Sequence, residues 1–178
     1  MRSDYGKLLR KQFEEVLLRT LPQFERSSET ENLQGCRLYE SRLTPALVGY
    51  IFLIVSIHSE WFTIELGWSH DGRFPSWLIP VRGPERGAYR LRIAELWHAT
   101  KDHWWKVTAQ RTVRDMTLEE IGRFDMDFLN PPPKMTDADR EVLRTAVDDA
   151  IQKIQQYAIP YFEQVAQEYG SGPAPQTS

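Results

Sequence analysis

The clearest pattern of hydrophobic and polar positions lies between Tyr50 and Ser69, where it predicts two strands joined by a tight turn at Ser59-Glu60. In the first strand, predicted from Val48 to His58, bulky residues occupy both faces. One face carries Tyr50, Phe52 and Ile54, and the other carries Ile51, Leu53, Val55 and Ile57. Two apolar faces indicate a strand inside the sheet, covered by helices on one side and by long loops or a partner on the other.

The second strand of this hairpin follows a strict alternation. Its apolar positions are Phe62, Ile64, Leu66 and Trp68, and the positions between them are Thr63, Glu65, Gly67 and Ser69. A period of two predicts a strand that is buried on one face only. On that reading Glu65 faces solvent, paired with Arg90 or Arg92.

Three further segments are predicted to extend the sheet. Cys36 to Leu43 alternates weakly, and a short piece covers Trp104 to Thr108. In the segment from Tyr89 to Trp97 the alternation places Tyr89, Leu91 and Ile93 inward, with Arg90 and Arg92 outward. Asp71-Gly72, between the hairpin and these segments, has the composition of a turn.

Helical periodicity marks both ends of the chain. Ser3 to Leu21 places Leu8, Leu9, Phe13, Val16 and Leu17 on one face, and Pro22 ends that helix. Thr136 to Tyr169 is the longest periodic segment, with Thr136 as its N-cap and Gly170 as its stop. Pro160 predicts a kink or a brief break within it. A further helix is predicted to begin at Thr117-Leu118-Glu119-Glu120 and to stop before residues 131–133.

These elements predict a single α+β domain over residues 1–170, with a flexible tail at residues 171–178. In this fold an antiparallel sheet of four to six strands is packed by the N-terminal helix and by the long, Pro-kinked C-terminal helix.

Composition narrows the class of protein. The chain has 178 residues, of which 41% are apolar and 26% charged, which is typical of a globular protein. A formal net charge of −3 does not favour binding to nucleic acid. Cys36 is the only cysteine, so an internal disulfide is excluded. The N-terminus lacks the apolar region of a signal peptide and no apolar run could span a membrane, so we expect a cytoplasmic protein.

Four segments together resemble a known family. They are the N-terminal amphipathic helix, the strand FTIELGWS (Phe62 to Ser69), RLRIAELW followed by DHWW (Arg90 to Trp105), and the last helix with AIPYF (Ala158 to Phe162). This combination is similar to domain-of-unknown-function family 4304, a bacterial family of small cytoplasmic α+β proteins. The resemblance covers residues 5–165 and implies a fold without an assigned activity. It associates the chain loosely with accessory or immunity-type proteins.

Few residues suggest catalysis. His58, His70, His98 and His103, with nearby carboxylates, could assemble a metal site, but their spacing matches no fixed metal-binding geometry. Surface or turn positions are the simpler interpretation of these histidines. Cys36 would need a neighbouring base to act as a nucleophile and is better explained as a small apolar residue. Glu65 and Glu95 lie in apolar strands, where partial burial could raise a carboxyl pKa.

Tryptophan and arginine provide the better candidate site. All six tryptophans fall between residues 61 and 105, and Trp61, Trp104 and Trp105 cannot all point inward from regular strands. Because Trp and Arg dominate protein-binding hot spots, a candidate surface is predicted. Its members are Trp61, Trp77, Arg90, Arg92, Trp97, Trp104 and Trp105. The alternative is that these rings close the ends of the sheet.

Two functional hypotheses follow. The first is a non-enzymatic module that binds another protein, such as the product of a neighbouring gene, without a cofactor, metal or catalytic residue. The second is a small metal-dependent or hydrolase-like enzyme that uses the histidines and carboxylates between residues 58 and 103. The oligomeric state is not predicted by either.

Overall fold

The computed structural model describes residues 3–28, 35–57, 59–75, 87–97, 102–109 and 134–171. Within these ranges the chain forms one antiparallel sheet with helices packed against one of its faces. The predicted α+β single-domain fold is therefore confirmed.

The helices begin and end close to the predicted residues. Helix α1 is Ser3–Thr20, α2 is Asp137–Lys153 and α3 is Ile159–Tyr169. Between α2 and α3 the backbone forms a π-helical turn, Ile154–Ala158. Pro160 is the second residue after this turn. Since proline cannot donate a backbone hydrogen bond, a wider turn next to it lets the chain remain helical instead of breaking.

Six strands make up the described sheet: β1 (Glu25–Arg26), β2 (Arg37–Thr44), β3 (Leu47–Val55), β4 (Trp61–Ser69), β5 (Ala88–Arg92) and β6 (Trp105–Lys106). Their order is β1-β2-β3-β4-β5, and β6 also pairs with β4. β3 is fully flanked by β2 and β4, with Phe52 opposite both Leu38 and Glu65. The central position predicted for this strand is confirmed.

The main core lies between the sheet and the helices. From α1 it takes Leu9, Phe13 and Leu17, which occupy the face predicted from their spacing. The sheet contributes alternate residues such as Ile51, Leu53, Phe62, Ile64 and Leu66, and the C-terminal helices contribute Leu143, Val147, Ile151, Ile154 and Phe162. All of these side chains are almost completely buried.

The opposite face of the sheet is also covered. Leu38, Tyr50 and Phe52 form a second cluster with Phe74, which follows the Asp71-Gly72 turn. A Cβ on Gly67 would lie 2.9 Å from the Phe74 ring, so the close approach of this ring requires glycine. We refer to this face as the rear face.

Two predictions are corrected here, one about the burial of β4 and one about the end of β3. The predicted one-sided burial of β4 is wrong, because Thr63, Glu65 and Ser69 are buried as well as the apolar residues. Ile57 does not extend a buried face of β3: the strand ends at Val55, and Ile57 is 69% exposed in the following turn. An alternating pattern predicts which side chains share a face of the strand. It does not predict whether a later segment of the chain covers the polar face.

The segment from Tyr89 to Trp97 is only partly a strand. β5 ends at Arg92, and a 3₁₀ turn, Ile93–Leu96, follows. Leu91 and Ile93 point into the main core as predicted. Arg90 and Arg92 lie on the rear face, but they are partly buried and do not point into open solvent.

Some predictions lie outside the described residues: the helix beginning at residues 117–120, and all but the first residue of the tail at 171–178. In the part of the chain that is described, every helix is too short or too polar to cross a lipid bilayer.

Candidate functional site

The strand register brings five of the polar and aromatic residues into one row on the rear face. β6 and β5 pair with the same edge of β4, β6 beside Trp61 and β5 beside Glu65. Trp61 and Glu65 point to the same face because Glu65 lies four positions after Trp61 and side chains alternate between the two faces of a strand. Arg92, directly opposite Glu65, shares that face. We call Trp61, Trp104, Arg92, Glu65 and Arg90 the Trp–Arg strip.

Glu65 is the buried centre of this strip, with only 3% of its surface exposed. Arg90 forms an ion pair with its Oε2, and the Arg92 Nε lies 2.9 Å from its Oε1. Burial raises the pKa of the Glu65 carboxyl above its ordinary value, and both guanidiniums oppose that shift. The predicted pairing with arginine is confirmed, but the predicted solvent exposure is wrong.

Both arginines are held in place by more than Glu65. The Arg90 guanidinium lies 4.9 Å from the centre of the Phe74 ring, and its Nη1 donates to the Pro75 carbonyl oxygen at 3.2 Å. Arg92 lies 5.5 Å from the centre of the Trp104 ring. Cation–π contacts of this kind stabilise a guanidinium in a fixed orientation.

The segment before β6 fixes Trp104. The Thr63 hydroxyl donates to the His103 carbonyl oxygen at 2.7 Å, and the Trp104 indole N–H donates to Asp102 at 2.7 Å. Asp102 in turn lies 3.8 Å from the Arg92 Nε. Trp61 and Trp104 are both partly exposed. The strip therefore presents two indole rings beside an oriented arginine.

Two other predicted site residues lie on the helix side of the sheet. Trp105 is 5% exposed, stacks on Phe62, and donates from its indole N–H to Asp149 at 2.7 Å. It is a core residue. Trp97 is half-buried and packs against Tyr157, with ring centres 5.1 Å apart. Trp77 lies outside the described residues. The sheet thus separates the predicted tryptophans into two groups.

The described histidines are far apart. His70 follows β4 at one end, where its Nδ1 lies 2.8 Å from the Ala46 carbonyl oxygen. His103 lies near the other end, against the Trp97 and Trp105 rings. His58 and His98 are outside the described residues. Among those that are described, no group of three or more His, Cys, Asp or Glu side chains could hold a metal ion.

The remaining catalytic candidates have local structural roles. Glu95 accepts the backbone N–H of Arg92 at 2.8 Å and so caps the 3₁₀ turn. Cys36 is partly buried beside the Leu38–Phe52 cluster on the rear face.

Asp139 is a buried carboxylate whose role the sequence did not reveal beyond its place in the first turn of α2. It accepts hydrogen bonds from the Thr108 hydroxyl at 2.7 Å and the Ala109 N–H at 2.9 Å, as well as from Thr136. Burial alone would raise its pKa, but hydrogen bonds from the side chain of Tyr5 and from Thr136 and Thr108 prevail and hold the pKa well below its ordinary value. The Thr136-x-x-Asp139 capping-box spacing was the available signal.

No protein-family model matches this chain, and no curated protein or solved structure does either. The resemblance to family 4304 stays a prediction.

Proposed function

We propose that this protein is a non-enzymatic module that binds another protein through the Trp–Arg strip. The observation that supports the proposal is the arrangement of Trp61, Trp104 and Arg92, which lie together on one face and are partly exposed. Tryptophan and arginine are the side chains that contribute most to binding at protein interfaces.

Rigidity of the strip favours binding. Arg92 is oriented by Glu65 and by the Trp104 ring, and Trp104 is fixed by its hydrogen bond to Asp102. A side chain that is already fixed loses little conformational entropy when a partner contacts it. The strip is therefore suited to recognition.

An exposed apolar side chain lies at the same end of the sheet. Ile57 is in the β3–β4 turn, which is closed by a hydrogen bond from the Ser56 N–H to the Trp61 carbonyl oxygen at 3.0 Å. Ile57 is the exposed large hydrophobic residue of the described part of the chain. It extends the proposed contact surface beyond Trp61.

Glu65 fits a supporting role better than acid–base catalysis. Both of its carboxylate oxygens are engaged by guanidinium groups, and its side chain is almost fully buried. A general base must reach a substrate proton, and this carboxylate instead orients two arginines.

The compartment and biological setting are part of the same proposal. A cytoplasmic, accessory or immunity-type role in a bacterium is consistent with the resemblance to family 4304. The partner would then be the product of a neighbouring gene.

The test is complex formation with that gene product, measured by size-exclusion chromatography with light scattering. We expect a stoichiometric complex with the wild-type chain and its loss with the double variant Trp61→Ala/Trp104→Ala. The matched control is Trp97→Ala, which removes a half-buried indole from the other side of the sheet and should leave the complex intact.

Two results would contradict the proposal. One is a complex that survives Trp61→Ala/Trp104→Ala but is lost with Trp97→Ala. The other favours the enzymatic alternative: the purified protein contains stoichiometric metal by elemental analysis, and His70→Ala or His103→Ala removes it. Circular dichroism and thermal unfolding of each variant ensure that a lost complex reflects a lost surface and not an unfolded chain.

A further inference from the structure

A second cationic region lies on the opposite side of the sheet from the Trp–Arg strip, where α1 meets β1 and β2. It is an open groove of about 520 Å³, lined by the cations Lys7, Arg10, Lys11, Arg26 and Arg37. We call it the basic groove. Glu14 and Glu15 also line it. Among the described lining residues, five cations against two carboxylates give a local excess of positive charge on a chain whose formal net charge is −3.

Two arginines at the groove are anchored by adjacent backbone carbonyls. The Arg10 Nη1 donates to the Gly35 carbonyl oxygen at 3.2 Å, and the Arg37 Nη1 donates to the Cys36 carbonyl oxygen at 2.9 Å. Gly35 has a φ of 90°, and a Cβ on it would lie 3.2 Å from the Arg10 Nη1. Glycine therefore permits both the turn and the close approach of Arg10.

Within the described ranges, neither Arg10 nor Arg37 has a carboxylate at ion-pair distance. Burial and the neighbouring Arg37 charge lower the pKa of Arg10 below its ordinary value. Glu14 is engaged by other groups: the Tyr39 hydroxyl donates to it at 3.4 Å, and Arg26, also in the groove lining, lies 4.0 Å away.

We propose that the basic groove binds a phosphate-bearing small molecule, held by the Arg10 and Arg37 guanidiniums and by the Lys7 and Lys11 ammonium groups. Guanidinium groups form paired, charge-assisted hydrogen bonds with phosphate oxygens. Two such groups, anchored to the consecutive carbonyls of Gly35 and Cys36 in the lining of one groove, form a preorganised oxyanion site.

The amount of charge favours phosphate over a single carboxylate. One carboxylate would offset one of the two guanidiniums and leave the lysines unmatched, whereas a diphosphate carries several charges on closely spaced oxygens. The net charge of the whole chain is a sum over all residues, and it does not describe this local concentration of cations.

The test is isothermal titration of the full chain with pyrophosphate at low ionic strength. We expect saturable binding at one site. Arg10→Gln and Arg37→Gln should each weaken it by at least about tenfold, because each removes a charge-assisted hydrogen bond. Lys11→Gln changes an exposed side chain and should weaken binding by about threefold without affecting the fold.

Arg19→Gln is the matched control, since it removes the same charge from α1 at an exposed position outside the groove. It should change the affinity by less than about twofold. Trp61→Ala/Trp104→Ala should also bind pyrophosphate normally, so that failure here is distinguishable from failure of the proposed protein-binding function.

Three results would overturn the inference. The first is the absence of saturable pyrophosphate binding. The second is an equal loss of affinity in Arg19→Gln and Arg37→Gln, which would indicate an effect of overall charge. The third is binding of a glutamate-rich synthetic peptide, dependent on Arg37, without binding of pyrophosphate; the groove would then recognise acidic peptides.

Discussion

The Trp–Arg strip and the basic groove both contain a pair of arginines, but the pairs are held in different ways. In the strip, Arg90 and Arg92 contact the carboxylate of Glu65. In the groove, Arg10 and Arg37 donate to the neutral carbonyl groups of Gly35 and Cys36. The strip therefore sets two carboxylates, Glu65 and Asp102, against its two arginines. In the described part of the groove, no carboxylate lies at ion-pair distance from Arg10 or Arg37.

This difference separates two uses of the same residue type. An arginine paired with a buried carboxylate supports the fold, and removing it leaves that carboxylate with less compensating charge. An arginine whose partner is a neutral carbonyl has no counter-charge at that bond, so it can attract an anion from solution. The identity of the acceptor, and not the number of arginines, distinguishes the two regions.

The largest expected effect on stability comes from replacing one arginine of each pair with alanine. Arg90→Ala should lower the free energy of unfolding by about 3 kcal/mol, because Glu65 stays buried with one cation fewer. Arg37→Ala should lower it by less than about 1 kcal/mol, since its loss also relieves repulsion with Arg10. Urea unfolding of both variants measures this.

The double variant Arg90→Ala/Glu65→Gln is the control for that comparison. Removing the carboxylate charge as well should restore part of the lost stability. If Arg37→Ala proves as destabilising as Arg90→Ala, the proposed distinction between the two pairs is wrong.

Asp139 provides the next test, as a buried carboxylate that accepts hydrogen bonds from Thr108, Ala109 and Thr136. Asp139→Asn should lower the free energy of unfolding by about 2 kcal/mol at pH 7, because an amide cannot accept the same set of donors.

The pH dependence of this effect follows from the lowered pKa of Asp139. Its stabilisation is fully present above the pKa of the unfolded state, about 3.9, and is lost as the pH falls toward the lower folded-state pKa. Wild-type protein should therefore lose more stability than Asp139→Asn between pH 4 and pH 2.5. Equal losses in urea unfolding at the two pH values would show that Asp139 is not the group responsible.

A smaller effect should accompany ligand binding in the groove. Pyrophosphate at ten times its dissociation constant should stabilise the wild-type chain by about 1.4 kcal/mol, or roughly 3–6 °C in thermal unfolding. Arg10→Gln, with an affinity at least about tenfold weaker, should show at most about a third of this shift at the same pyrophosphate concentration. Arg90→Ala should show all of it relative to its own baseline. If the thermal shift is lost in Arg90→Ala and kept in Arg10→Gln, pyrophosphate binds at the Trp–Arg strip and not in the basic groove.

The smallest effect should be the response to salt. Raising the ionic strength screens the repulsion between exposed cations, so the wild-type chain should gain up to about 0.5 kcal/mol of stability. Arg10→Gln should gain less. Chemical denaturation at low and high sodium chloride measures the difference, and an equal gain in both proteins would mean that groove repulsion is negligible.

The sequence predicted the elements that depend on neighbouring residues. The apolar face of α1, the Thr136 cap of α2 and the Asp71-Gly72 turn all arise from residues within a few positions of one another. The adjacent strands β3 and β4 were also predicted, because their two patterns are strong and the connecting turn is short.

The burial of β4 and the arrangement of the candidate site could not be predicted from residues that are close in sequence. Glu65 was expected in solvent because its polar neighbours resemble an exposed face, but Arg90, Arg92 and the ring of Phe74 come from later parts of the chain and cover that face. Trp104 and Trp105 are consecutive, and the position of β6 beside β4 sends them to opposite faces.

The sequence by itself determined the α+β class, the two terminal helices and the central hairpin, because those features follow from periodicity and short-range steric preferences. Only the tertiary structure decided which charges meet. Arg10 and Arg37 are 27 positions apart and come together through the packing of α1 against β2, whereas Arg90 meets Glu65 through the pairing of β4 with β5. Long-range packing therefore decided which arginines stabilise the fold and which remain available to a ligand.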